Sequence, residues 1–202
     1  MKRYFLSFLI SILCLHTYAQ NAYFAITGGL NLSHPTGYEM RWGYNIGLKG
    51  DLMFSTTSNI YFSPLLRLSK KGWQETIYDL DENRSTLKCN LYYIDLPLLF
   101  GYKFPLNTTS NLFVEMGPYI GIGVFGKAYS QSNDYATDNL FKSDLYKRFD
   151  CGLSASVGID IKKWQMGISY NHGMIKPTHG AWNEMDPKNQ TIIIYTSFYF
   201  NR

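Results

Sequence analysis

Acidic side chains in segments of alternating pattern are the first candidates for chemistry. Asp150 and Asp160 have the same parity in one alternating segment, and Asp95 and Glu115 share a face in two neighbouring segments. Two carboxylates can divide the roles of acid and base when their surroundings separate their pKa values. In a narrow closed structure, however, charges of this kind more often form ion pairs with basic side chains. We therefore interpret these four carboxylates as structural charges.

A histidine-containing segment near the C-terminus is the second candidate. His172 and His179 lie close in sequence to Glu184 and Asp186, and such side chains can bind a metal ion. Their spacing matches no helical or hairpin ligand motif, and no Ser, His and Asp set indicates a hydrolase. The sequence thus predicts no catalytic residue, no metal site and no cofactor.

The elements that carry these residues alternate strictly between apolar and small or polar side chains. From Phe149 to Ile161 the sequence FDCGLSASVGIDI places an apolar side chain at nearly every second position. Such a period of two over thirteen residues predicts a β-strand with two different faces. Trp164 to Tyr170 repeats the pattern after a turn at Lys162 and Lys163, so the two strands form a hairpin.

Six further segments show the same alternation of apolar and polar side chains. The total is eight strands, and an even number is usual in bacterial outer-membrane barrels. The six are Phe24 to Leu32, Trp42 to Phe54, Ile60 to Leu68, Tyr92 to Tyr102, Leu112 to Val124, and Ile192 to Phe200. Aromatic rings at both ends of the fourth strand are typical of the two interfaces of a membrane. The sequence therefore predicts an all-β fold, an eight-stranded antiparallel transmembrane β-barrel in up-and-down order.

Each parity of the predicted barrel has its own residues. The apolar parity of the fourth and seventh strands is expected to face lipid: Tyr92, Ile94, Leu96, Leu98, Phe100, Tyr102, Trp164, Met166, Ile168 and Tyr170. The opposite parity is expected to form a charge network in the lumen: Lys49, Asp51, Arg67, Asp95, Glu115, Asp150 and Asp160. Lys49 and Arg67 are the cations of this network, because unpaired charges in a narrow interior are costly.

Connection lengths give an independent check on this topology, because outer-membrane barrels have short periplasmic turns and long outer loops. The connections after the second, fourth and sixth strands are short: 55–59, 103–111 and 162–163. Those after the first, third, fifth and seventh strands are longer: 33–41, 69–90, 126–148 and 171–191. Pro64, Pro97 and Pro118 fall inside strands, where proline removes a ladder hydrogen bond, so we expect β-bulges there.

The N-terminus has the pattern of a secretory signal, with Lys2 and Arg3 before an apolar run that ends at Leu15. Residues 1–19 are expected to be removed, which leaves 20–202 as the barrel domain. Their loss lowers the net charge from +4 to +2 because two basic residues go with them. A nearly neutral mature chain does not indicate nucleic-acid binding.

A soluble secreted barrel of the lipocalin type is the main structural alternative, since it also alternates but turns its apolar parity inward. Residue size favours the membrane barrel. The non-apolar parity of the sixth and seventh strands consists mostly of Gly and Ser, which fit a crowded lumen, whereas Phe, Trp, Ile and Met fit a wall that faces lipid.

Several segments together resemble the PorT-like outer-membrane β-barrel proteins of Bacteroidetes. They are GLKGDLMF, NIYFSPLLRLSKKGW, YIDLPLLFGYKF, GPYIGIGV, FDCGLSASVGIDI followed by GISYNHGM, and the terminal TSFYF. The resemblance spans the mature chain and implies an eight-stranded outer-membrane barrel, and founding members are implicated in type IX protein secretion. Asn201 and Arg202 depart from the usual ending, because they follow Phe200 where an aromatic residue is normally last.

Three functional hypotheses follow. The first is a non-enzymatic barrel in the cell outer membrane with a structural or interaction role, in which the outer loops contact a protein partner, as in a secretion accessory. The second is a small porin-like pore or ligand-binding barrel, although an eight-stranded lumen is just wide enough for side chains to fill. The third is an outer-membrane enzyme. The expected partners are the lipid bilayer and the barrel-assembly machinery.

Overall fold

The computed structural model describes residues 22–55, 58–78, 84–130, 136–137, 139–142, 146–177 and 188–202. The predicted signal peptide, 1–19, lies outside these residues. Nine strands are present: β1 (Ala22–Pro35), β2 (Glu39–Met53), β3 (Ile60–Tyr78), β4 (Arg84–Pro105), β5 (Ser110–Ser130), β6 (Ala136–Thr137), β7 (Phe149–Ile161), β8 (Trp164–Gly173) and β9 (Asn189–Tyr199). No helix in the described part of the chain is long and apolar enough to cross a membrane.

Eight of these strands form a closed antiparallel barrel. Strands adjacent in sequence pair with each other, β1 also pairs with β9, and β5 pairs with β7. Among the described strands, the two-residue strand β6 pairs with β5 alone and lies outside the ring. The predicted up-and-down barrel of eight strands is thus confirmed, with one short strand added.

The barrel has two distinct ends. At one end lie the turns 54–59, 106–109 and 162–163, together with Ala22 and Arg202, and we call it the inner end. Lys162 takes a left-handed conformation there, with φ 52°, as the tight hairpin between β7 and β8 requires. The long connections lie at the other end, which we call the outer end.

Three strands are much longer than the sequence pattern predicts. β3, β4 and β5 have 19, 22 and 21 residues, whereas about 10 residues cross a membrane in a tilted strand. The predicted loop at 69–90 is therefore wrong, because β3 and β4 remain paired as far as Tyr78 and Arg84. The pattern fades there because the outward side chains become polar where they no longer face lipid.

The predicted bulges at the three prolines are also wrong. Pro64, Pro97 and Pro118 pair opposite Leu98, Tyr119 and Leu153 in ladders whose register does not change there. A proline removes a single donor, and the hydrogen bonds on both sides of it hold the register, so no extra residue is needed. The register shifts lie elsewhere, between Met40 and Asn45 in β2 and between Tyr92 and Tyr93 in β4.

Candidate functional site: the charged lumen and its aromatic cap

Every side chain of the predicted charge network lies inside the barrel. Each is at most 3% exposed: Lys49, Asp51, Arg67, Asp95, Glu115, Asp150 and Asp160. Their positions follow from strand parity, because the odd-numbered residues of β2 to β5 and the even-numbered residues of β7 point inward across the membrane-spanning segments. The structure divides them into two clusters, one toward each end of the lumen.

Lys49 is the centre of the inner cluster. Its Nζ donates to Glu115 Oε1 and to Gln165 Oε1, each at 2.6 Å, and lies 3.8 Å from Asp51. Tyr61 donates its hydroxyl to the same Glu115 oxygen at 2.8 Å. The buried carboxylate of Glu115 thus has a cation and a neutral donor beside it, which is the arrangement a buried charge needs.

A second part of the inner cluster lies closer to the inner end. Lys103 Nζ is 3.0 Å from Asp51 and 3.3 Å from Asp160. The C-terminal residue Arg202 turns its side chain into the barrel and reaches Asp160 at 2.6 Å. Tyr199 donates its hydroxyl to Asp51 at 2.7 Å. These contacts close the inner end with alternating positive and negative groups.

The outer cluster is built around Lys71. Its Nζ is 2.9 Å from Asp95 and 3.9 Å from Asp150. Arg67 contributes a longer ion pair, 3.6 Å from Asp95, and its Nε has no hydrogen-bond partner among the described residues. Asp150 also accepts hydrogen bonds from Tyr119 at 3.2 Å and Asn189 at 3.1 Å.

Charge balances in both clusters. Three cations face three carboxylates in the inner cluster, and two face two in the outer one. The carboxylates that share a face in the sequence do not form acid–base pairs, since Asp95 and Asp150 belong to the outer cluster and Glu115 and Asp160 to the inner one. Each of the four lies next to a lysine or an arginine.

Three of the five cations were missed from the sequence. Lys71 and Lys103 fall just beyond the predicted ends of their strands, yet both continue the inward parity of β3 and β4. Extending the odd-numbered parity past the apolar stripe would have found them. Arg202 follows the last strand, and Asn201 beside it explains the unusual ending: its side chain accepts from Phe24 N–H at 2.8 Å and donates to the Ala22 carbonyl at 2.6 Å.

Little space remains between the clusters. A cavity of about 10 Å³ lies among polar and charged side chains that include Lys49, Arg67, Glu115 and Ser169. This is room for about one water molecule. The middle of the barrel is therefore packed with side chains.

An aromatic cap covers the outer cluster. Leu140, Phe141 and Tyr146, from the connection between β5 and β7, pack on inward side chains of β3 and β4, among them Trp73 and Tyr93. The Phe141 ring meets the Tyr93 ring edge-on at 5.6 Å. We call Leu140, Phe141 and Tyr146 the cap.

Backbone and side-chain hydrogen bonds hold the cap in place. Leu140 N–H donates to the Gly126 carbonyl at 3.0 Å, and Trp73 donates its indole N–H to the Tyr146 hydroxyl at 2.5 Å. A Cβ at position 123 would lie 2.3 Å from Phe141, so only glycine leaves room for the ring. Burial raises the pKa of Tyr146 well above its ordinary value, which keeps the hydroxyl neutral.

The predicted outward residues form a belt around the barrel. Their exposed fractions are 37–55%, except for Tyr92 and Leu98, which are half-buried. The ten residue steps from Tyr92 to Tyr102 rise ~33 Å along the strand, or ~25 Å along the membrane normal at a tilt of ~40°. This height matches the apolar band of ~25 Å on outer-membrane barrels.

A family match accounts for this combination of a polar, charged interior and an apolar belt. The model of the outer membrane protein β-barrel domain matches residues 18–177, most of the chain. The chain belongs to this family. As an outer-membrane protein, it has the bilayer around its belt. No curated protein matches the chain.

Several solved outer-membrane proteins are similar to the chain at low identity. Neisserial surface protein A is 9% identical, with a TM-score of 0.50, and the match covers 89% of this chain and 97% of that one. Ail, the attachment invasion locus protein of Yersinia pestis, is 14% identical with a TM-score of 0.42, over 89% of this chain and 97% of Ail. The outer membrane enzyme PagL is 9% identical with a TM-score of 0.45, over 86% and 98%.

Of the histidine-containing candidates from the sequence, only His172 lies within the described residues. His172 lies on the outward face of β8, with its Nδ1 3.4 Å from the Tyr170 hydroxyl. His179, Glu184 and Asp186 lie outside the described residues. Within the part of the chain that the structure describes, no three His, Cys, Asp or Glu side chains form a metal-binding group.

Proposed function

We propose that this outer-membrane barrel is closed and non-enzymatic, and that it acts as an interaction protein, an accessory to protein secretion of the PorT-like kind. The observation that carries the proposal is the neutralised lumen. Five cations and five carboxylates occupy the barrel interior in ion pairs of 2.6–3.9 Å. Charged side chains that are paired with each other in this way do not readily take part in catalysis or bind passing ions.

The closed interior also argues against the pore hypothesis. A diffusion channel needs a continuous aqueous path, and eight strands enclose little more than their own side chains. Here the inner cluster, the outer cluster and the cap lie one above another along the lumen. A ligand-binding barrel would need a larger cavity than the space of about 10 Å³ between the clusters.

If the lumen is closed, the function is expected to reside on the surface of the protein. The strands that project from the outer end provide a surface for this. β3 and β4 continue as a paired hairpin to Tyr78 and Arg84, and β5 remains paired with β4 as far as Ser130. The eight residue steps from Tyr92 back to Arg84 extend ~26 Å along the strand beyond the belt. We call this projection the outer sheet, and we propose that it contacts a protein partner.

Export and assembly complete the proposal. The signal pattern at 1–19 would direct the chain to the periplasm. The barrel-assembly machinery would then insert it, and the bonds of Asn201 to Phe24 and Ala22 close the seam between the two ends of the chain.

Deletion of the gene, followed by complementation, tests the secretion role. We expect surface delivery of type IX cargo to fall in the deletion strain and to return with the full chain. A variant with residues 75–87 replaced by a short turn, which removes the tip of the outer sheet, should not restore delivery. Double substitution of Lys162 and Lys163 by Gln at the inner end should restore it. Normal delivery without the gene, or full rescue by the shortened variant, would refute the secretion role.

A further inference from the structure

The outward face of the barrel is unevenly charged at its outer rim. On β2 to β5, four basic residues lie at or just above the ring of aromatic residues that ends the belt: Arg41, Lys70, Lys88 and Lys127. Among the described outward side chains of these strands, Glu39 is the only acid, and it accepts a hydrogen bond from Gln74 at 2.9 Å. We call the four basic residues, with the rings of Tyr44, Tyr92, Phe125 and Tyr129, the rim patch.

Strand pairing places these residues side by side. Lys70 lies opposite Tyr92, which lies opposite Phe125 on the next strand. One step further from the membrane, Lys127 pairs with Asn90, and one step beyond that Lys88 pairs with Tyr129. Each step is two residues, ~7 Å along the strand, so the cations occupy the depth of a lipid headgroup layer.

The cations lie against aromatic rings. Lys70 Nζ lies 5.7 Å from the centre of the Tyr44 ring, and Lys127 Nζ lies 5.5 Å from that of Phe125. Such cation–π contacts orient the ammonium groups and leave N–H donors free to turn outward. Both lysines are therefore held at the surface of the barrel wall.

Arg41 lies flat across two neighbouring strands. It donates to the Tyr129 hydroxyl at 2.7 Å and to the Cys89 carbonyl at 3.5 Å. Gly72 makes this possible, because a Cβ there would lie 3.4 Å from Arg41 Cδ and 2.3 Å from the Cys89 carbonyl oxygen. The guanidinium is thus fixed between β3 and β5.

On the opposite side of the barrel, described basic residues such as Lys147 and Lys188 lie just beyond the ends of β7 and β9 rather than within the strands. At the same level, the outward strand positions on β7, β8, β9 and β1 carry no lysine or arginine: Phe149, Cys151, Tyr170, His172, Gln190, Ile192, Leu32 and His34. On β2 to β5, by contrast, the cations lie side by side within paired strands, next to the aromatic rings that end the belt. This clustering favours a localised ligand at this part of the rim over a general attraction to an anionic membrane.

We propose that the rim patch binds the phosphorylated headgroup of a glycolipid in the outer leaflet of the outer membrane. Lysine and arginine pair with phosphate through charge-assisted hydrogen bonds, and tyrosine hydroxyls add donors at the same depth. The apolar belt directly below receives the acyl chains, so one lipid contacts both regions. The bound lipid would hold the barrel wall at β2 to β5, directly below the outer sheet.

Lipid retention tests the proposal with the full-length mature protein. The protein is reconstituted in phosphatidylcholine bilayers that contain diphosphoryl lipid A, and lipid A retained after release is counted by native mass spectrometry. We expect a defined bound lipid on the native protein, and a loss of at least about tenfold in the Lys70→Gln, Lys127→Gln double variant. The Lys162→Gln, Lys163→Gln variant removes the same charge at the inner end and should retain lipid A as the native protein does.

Two further probes identify the recognised group. Fully dephosphorylated lipid A should be retained at the level of the double variant, and phosphatidylglycerol should not displace diphosphoryl lipid A. Equal loss in the two double variants would overturn the proposal in favour of general electrostatics. Equal retention of dephosphorylated lipid A, or displacement by phosphatidylglycerol, would overturn the assignment of a phosphorylated glycolipid.

Discussion

At the scale of single residues, Lys71 and Arg67 are unequal partners in the outer cluster. Lys71 lies between Asp95 and Asp150, whereas Arg67 reaches only Asp95 at 3.6 Å. Removing one member of a buried ion pair is costly because the other charge stays buried without compensation. The cost should therefore depend on how many carboxylates lose their nearest cation.

Replacing Lys71 by Met tests this difference. Asp95 would keep Arg67, but Asp150 would keep only neutral donors, so we expect the free energy of unfolding to fall by ~3–5 kcal/mol. Arg67→Met leaves Lys71 between both carboxylates and should cost ~1–2 kcal/mol, the smaller penalty of a shared charge. Urea unfolding of both variants in lipid vesicles measures the two values. Equal costs would show that the two cations carry the cluster equally.

At the scale of elements, strand β8 shows how the belt depends on depth. Ile168 lies near the middle of the apolar band and is 53% exposed on the outward face, while His172 has the same parity at the outer end. A charged side chain on the lipid face costs most at the midplane and little at the interface. Ser169, the next residue along the strand, is not a suitable control for a substitution at Ile168, because its side chain is buried beside Ser154 in the packed lumen.

Substituting arginine at the two outward positions of β8 tests this geometry. Ile168→Arg should destabilise the barrel by ~2–4 kcal/mol, and His172→Arg by ~0–1 kcal/mol. Unfolding in vesicles of a fixed lipid composition gives both values. Similar values at the two positions would contradict the assignment of the belt.

The connection between β5 and β7 and the turn at 162–163 should lie on opposite sides of the membrane. In a background with Cys89 and Cys151 replaced by Ser, single cysteines at the exposed positions Lys142 and Lys163 report on this topology. A membrane-impermeant maleimide added to whole cells should label Lys142→Cys. It should label Lys163→Cys only after the outer membrane is permeabilised. The reverse pattern would invert the barrel.

How far the sequence predicts an element depends on what its two faces contact. In the membrane, one face meets lipid and the other the lumen, so alternation is strong, and β7 is predicted to the residue from Phe149 to Ile161. Beyond the belt both faces are partly polar, so the alternation did not predict the ends of β3 and β4. For the same reason Lys71 and Lys103 were not predicted as lumen residues.

The cap was not predicted because its contacts join positions far apart in a connection without periodicity. Phe141 and Tyr146 meet Tyr93 and Trp73, which lie on other strands. The available signal was an apolar Leu-Phe pair in a polar connection, together with glycine at the inward position 123, where a large ring needs space.

At the scale of the whole molecule, the interior of the barrel is occupied by the protein's own charges, and we propose that its contacts with other molecules are made on its outside. The clusters and the cap close the lumen in series, so no single contact keeps it shut. The outer sheet and the rim patch both lie toward the outer end, on the strands β3 to β5. The long side of the barrel is therefore the side that we expect to contact other molecules.

Planar-bilayer recording of the purified native protein tests the closed lumen most directly. We expect no steady current above the baseline of the lipid at moderate salt, because the two ion-pair clusters leave no continuous aqueous path. A variant that lacks residues 139–146 and carries Lys71→Ala and Lys103→Ala removes the cap and one cation from each cluster, and it should conduct. Large, steady currents through the native protein would contradict the account and favour the pore.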